Sequence, residues 1–79
     1  MFDAIDLSKA RPLTTALRRE MATLEQGEAQ VLFVGRCPKH TVAWACRHLR
    51  HEFPEYVMTY RHVDGVAFVF VVNPKPEWR

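Results

Sequence analysis

The sequence predicts a small α+β domain: a two-layer sandwich in the order β-α-β-α-β-β, with two helices packed on one face of a four-stranded mixed sheet. Apolar residues recur at helical spacing in two separate stretches, and β-rich runs stand before, between and after them. Because the two early strands each lead into a helix, right-handed crossovers place both helices on the same side of the sheet. The 79 residues are therefore expected to form a single domain.

A short first strand is expected over residues 2–7, where "FDAIDL" alternates loosely between apolar and polar side chains. Pro12 suits the first turn of the helix that follows. Gly27 is expected to end this helix, because glycine tolerates the left-handed conformation of a C-cap. One apolar stripe runs along the helix: Leu13, Ala16, Leu17, Met21 and Leu24.

The run "AQVLFVG", residues 29–35, predicts a strand that is covered on both faces, because its β-rich character is unbroken. The next pattern predicts a second helix over Lys39–His51, with Pro54 marking its end. Its apolar stripe consists of Val42, Ala45, Cys46 and Leu49, with Phe53 just beyond.

Two β-rich runs, residues 56–63 and 66–72, are joined by Asp64 and Gly65, which is a strong signal for a hairpin. The second run, "VAFVFVV", is apolar at both alternating sets of positions, so neither face looks suited to water. Either a second copy, a partner or the Pro-rich tail covers it, or the sheet simply exposes some valines. The tail, residues 73–79, is expected to be extended.

Charge, hydropathy and cysteine spacing indicate which partners and which cellular compartment to expect. The 11 Lys and Arg residues against 9 Asp and Glu give a net charge of +2, which is too slight to predict nucleic-acid binding. No apolar run approaches the ~20 residues of a membrane span, so no membrane association is expected. Cys37 and Cys46 would lie about 13 Å apart along one helix, too far for a disulfide. Two free thiols point to a reducing, cytoplasmic compartment.

Several short motifs together resemble those of the TusA (SirA-like) superfamily. They are "IDLSKARPL" before the first helix, "LEQGEAQVLFV" leading into the second strand, and a hairpin turning at "HVDG". The segments "GRCPKH" and "FPEYVMTY" are also similar to a divergent branch of TusA-like proteins, which has Asp-Pro where this chain has Cys37-Pro38. The resemblance spans residues 4–72 and implies the β-α-β-α-β-β fold. For the best-known members it also implies sulfur relay, in which a cysteine before the first helix hands a persulfide to a protein partner.

The sulfur-carrying cysteine of that family has no counterpart here. At the matching place the chain reads "KARPL", with Arg11 ahead of Pro12. The resemblance therefore assigns its sulfur-carrying role to no residue of this chain.

Cys37 is the candidate for a relocated thiol, since the ends of the first two predicted strands lie side by side. The start of the second helix favours a thiolate. Positive charge would come from Arg36, Lys39, His40 and, across the loops, Arg11. A working thiol predicts a lowered pKa and an exposed sulfur at Cys37. The alternative is a small residue at the helix start without chemistry, and Cys46 is expected to be a packed core thiol.

The second helix also carries a candidate binding face. Its members are Trp44, Arg47, Arg50 and His51. Such a face could contact an acidic protein, an anion or a nucleic-acid backbone, or it could be a solvated helix face whose charges are balanced elsewhere.

No catalytic set, cofactor site or metal site is predicted. The three glycines stand apart, and Cys37 and His51 would lie about 20 Å from one another along the helix, too far to share a metal ion. We therefore expect an accessory protein rather than a self-contained enzyme, with no small-molecule substrate. It either handles sulfur through Cys37 or is a thiol-independent module for protein interaction or homodimerisation, which uses the apolar sheet face, Trp44 and the basic helix face. RNA binding by the basic helix face is the third hypothesis, and a protein partner is expected before a nucleic acid.

Overall fold

Two helices and three strands make up residues 6–78, the part of the chain that the computed structural model describes. They are α1 (Ala10–Met21), β1 (Ala29–Arg36), α2 (Lys39–Glu52), β2 (Val57–Val63) and β3 (Val66–Val72), followed by a single turn of 3-10 helix at Pro76–Trp78. The predicted α+β class is confirmed. Helix α2 begins where the sequence predicts and ends one residue later than expected.

The three strands form one antiparallel sheet in the order β1-β3-β2, so that β3 is the central strand. A four-stranded mixed sheet is not seen among the described residues. The strand expected over residues 2–7 lies outside them, except for Asp6 and Leu7, which belong to no strand. The β2–β3 hairpin is confirmed: Asp64 and Gly65 have φ angles of 52° and 79°, as a two-residue turn with two left-handed positions requires.

Strand β1 has one covered face, so the expectation of two was wrong. Val31 and Val34 are exposed, whereas Leu32 and Phe33 are both buried. The register with β3 shifts between Val31 and Phe33, and this bulge turns two successive side chains toward the core. Helix α1 packs on β1 and helix α2 packs on β2 and β3, and no element of residues 6–78 covers the opposite face of the sheet, which we call its bare face.

Helix α1 ends at Met21, with Ala22 as its C-cap, and not at Gly27 as expected. Gly27 has a φ of 92° and turns the chain toward β1 instead. Its N–H donates a hydrogen bond to the carbonyl oxygen of Asn73, 2.6 Å away. The predicted stripe of α1 is buried in full, and Leu24 joins the core although it lies beyond the helix.

The core lies between the two helices and the inner face of the sheet. Its fully enclosed members include Leu13, Leu17, Val42, Cys46, Leu49, Val69 and Val71. The tail packs beside the loop before β1 and does not cover the sheet, since Lys75 lies next to Gly27 while Phe68 and Phe70 stay exposed. Neither α1 nor α2 is long and apolar enough to cross a membrane.

Candidate functional site

Cys37 occupies the junction between β1 and α2, as the sequence predicts, and its backbone is tied to the hairpin. Its N–H donates to the carbonyl oxygen of Gly65 at 3.1 Å. Its own carbonyl oxygen lies 2.7 Å from Nε2 of His62, and because a carbonyl can only accept, that nitrogen carries the proton. The loop is therefore fixed by contacts that are distant in sequence.

The thiol of Cys37 does not have the properties expected of a working sulfur. The residue is 4% exposed, and burial raises its pKa above the ordinary value. Its Sγ faces carbonyl oxygens, at 3.4 Å from that of Pro38 and 4.0 Å from that of Leu7. The backbone N–H of Val42 lowers this pKa in part, but burial is the larger effect, and the oxygen acceptors favour the neutral S–H over a thiolate. The predicted lowered pKa and exposed sulfur were therefore wrong.

The positive groups predicted to surround this thiol are spread over the surface. Lys39 and His40 are exposed in the first turn of α2. Arg36 reaches the hairpin turn, where its Nη1 lies 3.4 Å from the carbonyl oxygen of Asp64. Arg11 lines a depression between α1 and α2 together with Trp44. In the part of the chain that the structure describes, burial and the backbone N–H of Val42 set the pKa of Cys37, and no positive side chain is among the causes of its shift.

The other predicted thiol assignment agrees with the structure. Cys46 is fully buried in the core, and burial raises its pKa to about 11. Both cysteines are free. Within residues 6–78 no group of three or more His, Cys, Asp or Glu side chains is placed to hold a metal ion.

The residues of the basic face predicted on α2 have different roles in the structure: some hold the fold together and others are open to a ligand. Arg50 is structural, because its Nε and Nη2 donate to the carbonyl oxygen of Met58 at 3.1 and 2.7 Å. Trp44 is half exposed but stacks on His48 of its own helix, with ring centres 5.1 Å apart. Arg47 and His51 line a depression of about 260 Å³ against Tyr60 of β2. We call this the α2–β2 cleft.

A second surface is the bare face of the sheet, which the sequence predicts as a place for a partner or a second copy, although none of the residues that line it was predicted as a site residue. Phe68 and Phe70 stand on this face of the central strand, each 41% exposed. In the antiparallel register Arg61 lies opposite Phe68, and Thr59 lies opposite Phe70. These four residues and Tyr60 line a shallow depression of about 470 Å³. We call it the sheet platform.

The remaining strand side chains on this face are apolar or basic, and one acid, Asp64, stands in the hairpin turn beside the Arg36 corner. The valines at its margins are Val31, Val34, Val57 and Val63, each about half exposed. Arg36 lies at its corner, opposite Val66. None of the three strands contains an aspartate or glutamate. The signal that could have found this surface was the pair of aromatic residues two positions apart in β3, beside an arginine in β2 and with no acid in any strand.

Comparison with known proteins gives no relative for this arrangement. No protein-family model, no curated protein and no solved structure matches the chain. The resemblance to the TusA superfamily therefore stays a prediction.

Proposed function

We propose that this protein is a thiol-independent binding module whose ligand is a single-stranded nucleic acid laid across the sheet platform. One observation carries the proposal: Phe68 and Phe70 are exposed side by side on the central strand, with Arg61 next to them. Nucleobases stack on such rings, and an arginine beside them can meet a phosphate or a base face. The chemistry needs no cysteine.

The spacing of the two rings supports stacking. Residues two apart on a strand are separated by about 7 Å along it and lie on the same face. Two neighbouring bases of an extended strand can each cover one ring. Stacking of this kind is worth about 1–3 kcal/mol per base and tolerates any base, because every base has a π face. We therefore expect little sequence preference.

The local charge supports a polyanion although the net charge is only +2. The nine acidic residues of the chain lie in helices, loops and termini, and the strands carry Arg36 and Arg61 on the platform side. Phosphates would meet no opposing carboxylate within the strands. The electrostatic contribution is set by the charges that face the ligand, so the slight overall excess underestimates it.

The area of the platform supports a narrow ligand over a second copy of the chain. Three strands of about seven residues cover roughly 24 by 14 Å, which is about 340 Å². Even if the relief of the side chains doubled this area, it would stay below the ~800 Å² that each partner contributes to a standard protein interface. Homodimerisation and binding of another protein are the alternatives, and light scattering of the free protein tests the first of them.

Fluorescence anisotropy with labelled RNA and DNA strands of about ten nucleotides tests the proposal. Phe68→Leu and Phe70→Leu keep an apolar side chain but remove the ring, so each should weaken binding about 5-fold or more. Phe68→Trp should preserve binding, and Cys37→Ala should leave it unchanged. Comparison of the RNA and DNA arms shows whether the 2′-hydroxyl contributes.

The size of the free protein, measured by light scattering, supplies the opposing outcome. A monomer that binds the strands supports the proposal. The homodimer would be established instead by two results together. The wild type is a dimer that Phe68→Ser converts to a monomer, and neither the RNA nor the DNA oligonucleotide binds at low salt. Leucine substitutions that leave nucleic-acid binding intact would also reject stacking.

The finer architecture and setting are part of the same proposal. We propose a TusA-like architecture for the domain. Support comes from the element order α1-β1-α2-β2-β3, which matches the last five elements of the β-α-β-α-β-β order. Two free thiols support a reducing, cytoplasmic setting.

A further inference from the structure

Tyr60 lines both the sheet platform and the α2–β2 cleft. It belongs to β2, which is an edge strand in the described sheet, and it is half buried. The two depressions therefore meet at the β2 edge. One offers aromatic rings and Arg61, and the other offers the cationic side chain of Arg47 with His51 one helical turn further.

We infer that a nucleic-acid strand bound on the platform continues over the β2 edge at Tyr60 and places its backbone phosphates in the α2–β2 cleft. This inference rests on the proposed function and names the second contact region of the same ligand. The platform then holds bases by stacking, whereas the cleft holds phosphates by charge. Such a division between stacking and backbone contacts is typical of single-strand binding.

The basic residues of the cleft differ in how available they are to bind a phosphate. Arg50 already donates to the carbonyl oxygen of Met58, so it serves the fold first. Arg47 and His51 are exposed, and they stand on one side of α2 as residues four apart do. Glu52, the acid next to them in sequence, is paired with Arg18 through an Oε1–Nε contact of 2.6 Å and is thereby neutralised. Arg47 is therefore the main phosphate contact.

The β2 edge is poorly suited to a peptide that binds as an added β-strand. The carbonyl oxygen of Met58 is occupied by Arg50, which removes one acceptor that strand addition would need. The edge at Tyr60 is thus a crossing point for a ligand that does not require backbone pairing. This favours a nucleic-acid strand over an added peptide strand.

The salt dependence of binding separates this inference from the proposed function. Arg47→Gln should weaken binding of a strand of about ten nucleotides several-fold and make the slope of log K against log salt shallower by about 0.7, the value for one lost phosphate contact. Arg19→Gln is the matched control, because it removes the same charge from an exposed position on α1, and it should leave the slope unchanged. A trinucleotide, long enough only for the platform, should bind Arg47→Gln and wild type equally in an NMR titration.

Three results decide the outcome. If Arg47→Gln lowers the slope and Arg19→Gln does not, the path into the cleft is supported. If both variants behave alike while Phe68→Leu and Phe70→Leu lose affinity, the path is rejected and the sheet platform stands as the binding surface. If the wild type binds no strand of either kind at low salt, both the path and the proposed function fall.

Discussion

The guanidinium of Arg50 in α2 holds the carbonyl oxygen of Met58 in β2 through two hydrogen bonds, at 3.1 and 2.7 Å. A residue that the sequence offers as a binding cation is thereby a link between the helix layer and the sheet. The same contact occupies a backbone acceptor on an edge strand, which is a known way to discourage strand addition. This relationship predicts different phenotypes for two neighbouring arginines.

Arg50→Ala should lower the free energy of unfolding by about 1 kcal/mol, since it removes charge-assisted hydrogen bonds at a partly exposed site. Urea denaturation monitored by circular dichroism measures the change. Arg47→Ala is the control, and it should stay within about 0.5 kcal/mol of wild type because it has no such structural contact. Equal losses for the two variants would mean that the link to Met58 contributes nothing particular.

Asn73→Ala should destabilise the fold by about 1–3 kcal/mol. The side-chain amide of Asn73 donates to the carbonyl oxygen of Leu24 at 3.0 Å in a buried position, so the substitution leaves that acceptor without its partner. Thermal unfolding provides the measurement. Lys75→Ala, an exposed change in the same segment, should shift the midpoint little. A wild-type midpoint for Asn73→Ala would show that the side-chain hydrogen bond to Leu24 adds nothing to the backbone contacts that already join the tail to the loop before β1.

Alkylation should be slow at both cysteines of the folded protein near neutral pH. Burial raises the pKa of Cys37 and of Cys46, and only the thiolate reacts. Mass spectrometry of iodoacetamide-treated protein, compared with a urea-unfolded sample, measures the protection at each site. Rapid reaction of Cys37 in the native protein would restore the hypothesis of a working thiol.

Alkaline pH should destabilise the protein through Cys46. Its pKa is raised from an ordinary 9.0 to about 11, so above the lower value the unfolded chain loses a proton that the folded chain retains. The stabilisation by the neutral thiol is complete below pH 9 and is lost as the pH rises toward 11, by roughly 3 kcal/mol at most. Denaturant midpoints over this range, for wild type and for Cys46→Ala, isolate the effect. Parallel curves would contradict it.

Local patterns in the sequence predict the helices and the hairpin well. The apolar stripes of α1 and α2 are buried in full, and Asp64-Gly65 forms the turn that this dipeptide favours. These features depend on residues close in sequence. Periodicity and turn chemistry are sufficient to find them.

Features that depend on distant contacts could not be predicted in the same way. The bulge at Leu32 and Phe33 arises from pairing with β3, and it decides which face of β1 is covered. The burial of Cys37 depends on its position against Leu7 and the hairpin, not on the helix start alone. Gly27 has the conformation expected of a cap, yet it serves the contact with Asn73.

An apolar sheet face could be predicted from the sequence, but the residues of the sheet platform could not, because they become neighbours only across the sheet. The sequence shows that the run of residues 66–72 is apolar on both faces, but it does not show which face the helices cover. Once β3 is central and both helices lie on one side, Phe68, Phe70 and Arg61 must share the open side. The registers of two strand pairs are needed for that step.

An NMR titration of the isotope-labelled protein with an unlabelled single-stranded RNA of about ten nucleotides shows directly whether the sheet platform binds nucleic acid. We expect the amide signals of Thr59, Arg61, Phe68 and Phe70 to shift together and saturably, while the indole N–H signal of Trp44, on the helix layer, stays in place. Shifts confined to Trp44 and its neighbours on α1 and α2, or no shifts at all at low salt, would contradict the proposal.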